Sequence, residues 1–345
     1  MMKYLVIVII LLAHTSCGND APDVSDIKVS LEVQRFEQDF FAIDTNNIGA
    51  GFAALQKKYP IFLSDFTHNI LGLPAFSDTS TQVLAAIRQF MHDYRPLKDS
   101  ADKIFDDFAE QTNAITQGLR YTKHYFPNYP VPQKLITFIG PMDAYFEASL
   151  GGYGDVITAD ALAIGLQLHL GSNFSFYKTE MGQSLYPLYI SRKFAPEYIP
   201  VNSMKNVIDD LFPDNSSSET LVEQMVEKGK RIYVLDRLLP NTADTLKIGF
   251  TSAQLEGCYS NEGLIWNYFL KNGMLYNNDL GVIKNYIGDS PNTPEFGEGA
   301  PGYIGLFTGW QIVKSYMEKN EAMKMEDLML ADPKVIFEES KYRPK

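Results

Sequence analysis

Two short apolar runs sit inside long stretches of helical spacing, and this contrast limits the folds open to the chain. Lys134-Leu135-Ile136-Thr137-Phe138-Ile139, closed by Gly140-Pro141, reads as a buried strand. Ala161 to Leu170, with Leu162, Ile164, Leu166, Leu168 and Leu170 alternating, reads as a second strand. Ile27 to Val33 alternates apolar and polar and reads as a third. Elsewhere apolar residues recur three and four apart. Ile48, Phe52, Leu55 and Tyr59 mark a helix ended by Pro60, and Val83, Ile87, Phe90 and Tyr94 mark one ended by Pro96. Ile104, Phe108, Ile115 and Leu119 mark a longer third helix. Few strands among many helical stripes predict an α+β fold, mostly helical around a small mixed sheet. The expected layout is one globular domain over 27–345, with a helical part at 40–125, a sheet region at 134–170 and a helical part at 196–345. At 345 residues and 45% apolar, such a chain buries a core without disulfide or metal staples.

The C-terminal part is read from its caps and stripes. Glu219 to Lys228 is helical, and Thr251-Ser252-Ala253-Gln254 is a capping box opening a helix that is kinked at Gly257 or Gly263. That helix carries Leu264, Ile265, Trp266 and Phe269 towards Asn272-Gly273. Asn292 to Ala300 is a loop, after which Pro301 opens a helix with Leu306, Trp310, Val313 and Met317 in one stripe. Gly305 and Gly309, four apart, predict that another element approaches that helix closely. Gly151-Gly152-Tyr153-Gly154-Asp155 lacks the spacing and the lysine of a phosphate loop and reads as a turn between strands.

The first residues address the chain. Lys3 is followed by ten apolar residues, Tyr4 to Ala13, then by small Thr15 and Ser16 before Cys17. Crossing a bilayer takes about 20 apolar residues, so this run is too short to span and suits a signal peptide. The stop at a cysteine resembles a bacterial lipoprotein signal. Residues 1–16 are then removed, and Cys17 carries a diacylglycerol and a palmitate-type chain. Each buried methylene contributes about 0.8 kcal/mol, so several chains anchor almost irreversibly. Removing Lys3 leaves 29 basic against 42 acidic side chains, a net charge of −13. Residues 17–26 read as the lipidated cysteine and a polar tether, of which eight extended residues reach roughly 25 Å. Such an acidic body excludes nucleic acid as the main partner.

No strong catalytic signature is present. Cys258, the other cysteine, has no partner once Cys17 is acylated and reads as a small buried apolar residue. His14, His68, His92, His124 and His169 are never four apart, and no G-x-S-x-G elbow occurs. Glu227 to Pro240 is charged and aromatic. It reads foremost as a helix with an ion-paired exposed face and Ile232, Leu235 and Leu239 inward. Lys230, Tyr233 and Asp236 from this segment, with Trp266 and Trp310, are the candidate lining of a cleft.

These segments together resemble the gliding-motility lipoproteins of the GldB type. The residues that carry the likeness are Gly229 to Pro240 with Asp244, Ile265-Trp266-Asn267-Tyr268-Phe269, Pro301 to Gly305, Gly309 to Met317, and Ser340 to Lys345. The resemblance implies a lipid-anchored, periplasm-facing protein of the cell membrane or outer membrane. It would support gliding or the associated secretion machinery, with other envelope proteins of that complex as partners and without catalysis. The family is distantly similar to predicted zinc peptidases, which implies a zincin-like layout. On that layout Asn202, Ser203 and Asn206 stand where H-E-x-x-H would, with Glu227 near the third ligand. An amide ligates zinc poorly, and serine cannot do a glutamate's proton work. The expectation is a pseudoenzyme without metal or cofactor. Two alternatives stay open: an envelope hydrolase, peptidase-like or using carboxylates, and a lipoprotein that captures peptide or sugar.

Overall fold

The computed structural model describes residues 21–74, 80–143 and 154–344. The signal segment, Cys17 and most of the Gly151–Asp155 turn lie outside these residues. The chain runs through β1 (Glu32–Arg35), α1 (Phe36–Phe41), α2 (Ile48–Lys58), α3 (Phe62–Asp65), α4 (Thr81–Ile104) and α5 (Ala109–Tyr125). The remaining strands are β2 (Lys134–Phe138), β3 (Asp155–Ile157) and β4 (Leu162–Gly165). Next come α6 (Glu180–Leu185), α7 (Leu188–Ser191), α8 (Ile199–Leu211), α9 (Leu221–Leu238), α10 (Asp244–Ile248), α11 (Ser252–Ser260) and α12 (Glu262–Lys271). The chain closes with α13 (Leu280–Ile287), α14 (Ile304–Met317), α15 (Met325–Leu330) and α16 (Pro333–Ser340). This is an α+β fold, mostly helical, with a small mixed sheet.

The sheet order is β1-β2-β4-β3. β1 pairs parallel to β2 with Val33 opposite Leu135, and β2 pairs parallel to β4 with Leu135 opposite Leu162. The edge strand β3 runs antiparallel to β4, with Val156 opposite Ala163. All of β4 is buried, as expected of a strand covered on both faces. On the N-terminal side lies an aromatic core. Phe36 sits with its ring 4.7 Å from Phe66 and 5.0 Å from Phe62, and Phe138 of β2 is 6.3 Å from Phe66. Glu37 fastens α1 to the sheet: Thr137 donates to Glu37 Oε2 at 2.6 Å, and Arg35 pairs with Oε1 at 2.6 Å.

Several boundaries differ from the sequence reading. The first strand is Glu32–Arg35, not 27–33, because pairing starts only where Glu32 N meets Gln133 O at 2.8 Å. The second helix does not stop at Pro96. That proline is exposed, so water reaches the carbonyl its missing N–H leaves unpaired, and α4 runs on to Ile104. The third helix starts at Ala109, so Ile104 and Phe108 lie outside it. Phe108 takes a left-handed φ of 53°, which lets Phe105 and Phe108 both turn their rings into the core. β4 ends at Gly165 because its partner ends there. Asp155 Oδ1 takes the Gly165 N–H at 3.1 Å, and Leu166–Leu168 forms a 3₁₀ turn that still buries its leucines. The helix after Thr251 breaks at Asn261, not at a glycine. The last stripe starts at Ile304, after Tyr303 adopts φ 57°.

Candidate functional site

Helix α9 is the hub of the C-terminal half. Its capping box, Thr220 with Glu223, starts it, and thirteen of its eighteen residues are buried. Its charges are ion-paired but inward, which corrects the exposed face expected for Glu227 to Pro240. Arg231 is 0% exposed and meets Asp209 at 3.1 Å and Glu227 at 3.2 Å. Helix α14 crosses it backbone to backbone. A Cβ on Gly309 would lie 1.7 Å from Met225 O, and one on Gly229 would lie 2.3 Å from Gly309 C. The close approach predicted at Gly305 and Gly309 is real: Gly229 is its other half at Gly309, while a Cβ on Gly305 would lie 2.9 Å from Tyr286 O of α13.

Where these two helices diverge, they open a groove of about 700 Å³. That is within the usual range for a binding site. Asp236 sits at its centre. Trp310 Nε1 donates to Asp236 Oδ2 at 2.9 Å, and Lys247 Nζ lies 2.7 Å from Oδ1. Lys247 also meets Asp244 Oδ1 at 2.8 Å. Lys314 places its ammonium 3.3 Å from the centre of the Trp310 ring. Arg237 donates to Tyr233 Oη at 2.7 Å, and Glu318 and Glu321 complete the rim. Burial pushes the Asp236 carboxyl above the usual carboxylate range, against the pull of Lys247. Burial also works to lower Lys247, but Asp236 and Asp244 outweigh it and hold its ammonium above the usual lysine value. Lys314 is lowered by burial, opposed by the same two carboxylates.

Of the five residues expected in a cleft, Tyr233, Asp236 and Trp310 line this groove. Lys230 and Trp266 do not. Lys230 is 2% exposed and donates to Met329 O at 2.9 Å, tying α9 to the C-terminal helices, and pairs with Glu227 at 2.6 Å. Trp266 packs edge-on to Tyr342 at 5.0 Å. Sequence reasoning missed Lys247, Asp244, Lys314 and Tyr125 as lining. Asp244–Lys247 and Trp310–Lys314 are helical i,i+3 and i,i+4 neighbours, a signal that was available. The pairing of Lys247 with Asp236 across the Pro240 turn was not.

Of the positions compared with a zinc site, Asn202, Ser203 and Asn206 lie on α8 and Glu227 lies on α9. Asn206 donates to Asp155 O at 3.2 Å. Glu227 is engaged by Lys230 and Arg231. Asn202 lines a separate cavity of about 20 Å³, room for roughly one water, beside Lys193, Lys205 and Asp289. Ser203 Oγ is fully buried. His169 lies in the core with Nε2 3.0 Å from each Asp155 oxygen. Among the described residues no group of three or more His, Cys, Asp or Glu side chains is placed to hold a metal ion. Cys258 is buried, and burial pushes its thiol up to about 12.

No curated protein and no solved structure matches the chain. A family model described as gliding motility protein GldB matches residues 17–344. Among the described residues no helix is long and apolar enough to cross a membrane. With nearly its whole length matched, the chain belongs to the GldB family of gliding motility lipoproteins, which implies a role in gliding motility and association with a membrane.

Proposed function

We propose that the protein is a non-catalytic adaptor of the gliding or associated secretion machinery, anchored in the envelope through lipidated Cys17, with the α9–α14 groove as a recognition site. The observation that carries this reading is the state of Asp236. A carboxylate that moves protons on a substrate needs a free oxygen within reach of it. Asp236 Oδ2 accepts the Trp310 N–H, and Oδ1 is buried against the Lys247 ammonium in an ion pair, so neither oxygen is presented to a substrate. The inner charges of the groove are paired with one another, Lys247 with both Asp236 and Asp244, which suits recognition of a polar surface better than turnover. Family membership supports the setting, and the small residues before Cys17 support the anchor.

Crosslinking in living cells, followed by identification of the attached proteins, tests the adaptor role. Recovery of envelope components of the motility or secretion apparatus is the expected result. Hydrolysis of peptide or glycan by the purified protein, abolished by Asp236→Asn, refutes it in favour of an envelope hydrolase. The anchor has its own test: Cys17→Ser should move the protein from the membrane to the soluble fraction, and retention at full level in membranes refutes lipidation.

A further inference from the structure

The N-terminal segment meets the body at the groove itself. Ala21 lines the groove and packs against the core. Three residues on, Val24 is 2% exposed and its carbonyl accepts from Ile27 N at 3.1 Å. Asp23 Oδ1 accepts the Ser25 amide at 2.9 Å. The slack expected over residues 17–26 is therefore already taken up at residue 21. Only four residue steps separate Cys17 from Ala21, and they span at most about 14 Å. Acyl chains on Cys17 hold its backbone at the edge of the hydrocarbon. The headgroup layer beyond that edge is itself about 5–8 Å thick. A rim so close to the edge opens into the headgroups or within a Debye length of them, ~8 Å at physiological salt.

We propose that the groove-bearing face is the face apposed to the bilayer, and that the groove receives zwitterionic, ammonium-bearing phospholipid headgroups. This rests on the anchor at Cys17. Charge selects the headgroup. The lining holds four carboxylates and three cations, and the mature body is net acidic, so an anionic leaflet repels it. A zwitterion meets both signs. Its ammonium faces Glu318 and Glu321 on the exposed rim, and its phosphate faces Arg237 and Lys314. The same arrangement makes the anchor a positioning device, because the short tether fixes which face looks outward to partners.

Headgroup quenching in proteoliposomes tests the orientation. Ala322→Cys, exposed beside the rim residue Glu321 and leaving its carboxylate in place, takes a fluorophore in the full lipidated protein, while buried Cys258 and acylated Cys17 do not. The vesicles are phosphatidylethanolamine and phosphatidylcholine carrying a headgroup nitroxide. The rim label should be quenched. Inserting twenty Gly/Ser residues between Asp20 and Ala21, which adds roughly 25 Å of r.m.s. reach, should remove at least about half of that quenching. Replacing a third of the lipid with phosphatidylglycerol should weaken it as well. Protein that floats with the vesicles but shows an unquenched rim label, or equal quenching with the long tether, overturns the orientation alone. Stronger quenching on the anionic vesicles overturns the choice of headgroup. Protein that does not float refutes the anchor, and this inference with it.

Discussion

The contact between α9 and α14 makes a quantitative test of what holds the C-terminal half together. Gly309→Ala places a methyl 1.7 Å from Met225 O and 2.4 Å from Met225 C, both backbone atoms that no rotamer change can move away. Ordinary carbon–oxygen contact needs about 3.3 Å, so the helices must part by roughly 1.5 Å. Overpacking of a core costs about 1–3 kcal/mol when side chains alone give way. Here the displaced element is a helix with Leu306, Phe307, Trp310 and Val313 buried on it. The shift also loosens the 2.9 Å bond from Trp310 to Asp236, a charged hydrogen bond contributing about 1.5–3 kcal/mol. Against this, alanine gains up to about 1 kcal/mol over glycine in a helix. The net expectation is a loss of about 1.5–5 kcal/mol, or roughly 2–7 °C in melting temperature at this length. Gly257→Ala is the control, because a Cβ there meets nothing within 4 Å. It should be neutral or stabilise by up to about 1 kcal/mol. Urea unfolding followed by circular dichroism measures both. If Gly309→Ala is as stable as the parent, or if the two variants lose equal amounts, the backbone contact is not what fixes this helix pair.

Three further outcomes follow from single sites. Thr251→Ala removes the acceptor for Gln254 N, at 3.2 Å, and should cost about 1 kcal/mol in the same unfolding assay. Arg231→Ala leaves Asp209 and Glu227 without their shared buried cation and should cost about 3–5 kcal/mol, far more than truncating an exposed ion-pair lysine such as Lys58. Lys205 is faced by Lys193, Asp289 and Asp209, and burial brings it down to about 7 from 10.5. The unfolded chain therefore binds more protons between those values, and stability should rise with pH across that window by at most about 1.4 kcal/mol per unit. Lys205→Met should flatten that rise, and its advantage at pH 7 should shrink by pH 10. An unchanged pH slope refutes the assignment.

Much of the fold was readable where one physical signal acts alone. The runs at 134–139 and 161–170 are continuous enough in apolar character to specify buried strands, and both are strands over at least part of their length. The Thr251 capping box satisfies its own backbone donors and needs no partner, so it was found in place. Boundaries failed where the deciding contact came from elsewhere. Pro96 looked like a stop because proline removes a donor, but exposure of that turn makes the loss cheap. Phe108 fits a helical stripe with Ile104, Ile115 and Leu119, yet Phe105 and Phe108 bury best from a break in the helix. Gly165 ends its strand because β3 ends beside it, which no local pattern records.

The groove divides in the same way. Sequence alone supplied a lipoprotein-like signal ending at Cys17, the mixture of helix and strand, and three lining residues, because such signals, periodicity and the run from Gly229 to Pro240 are all local. Only the tertiary structure decided that Arg231 and Lys230 point inward, that Lys247 returns across a turn to Asp236, and that Trp266 serves the C-terminal tail. It also placed Ala21 in the lining of the groove. The physical reason is that charge pairing and burial depend on separation in space. Two backbones brought into contact at Gly229 and Gly309 set those separations for every side chain around them.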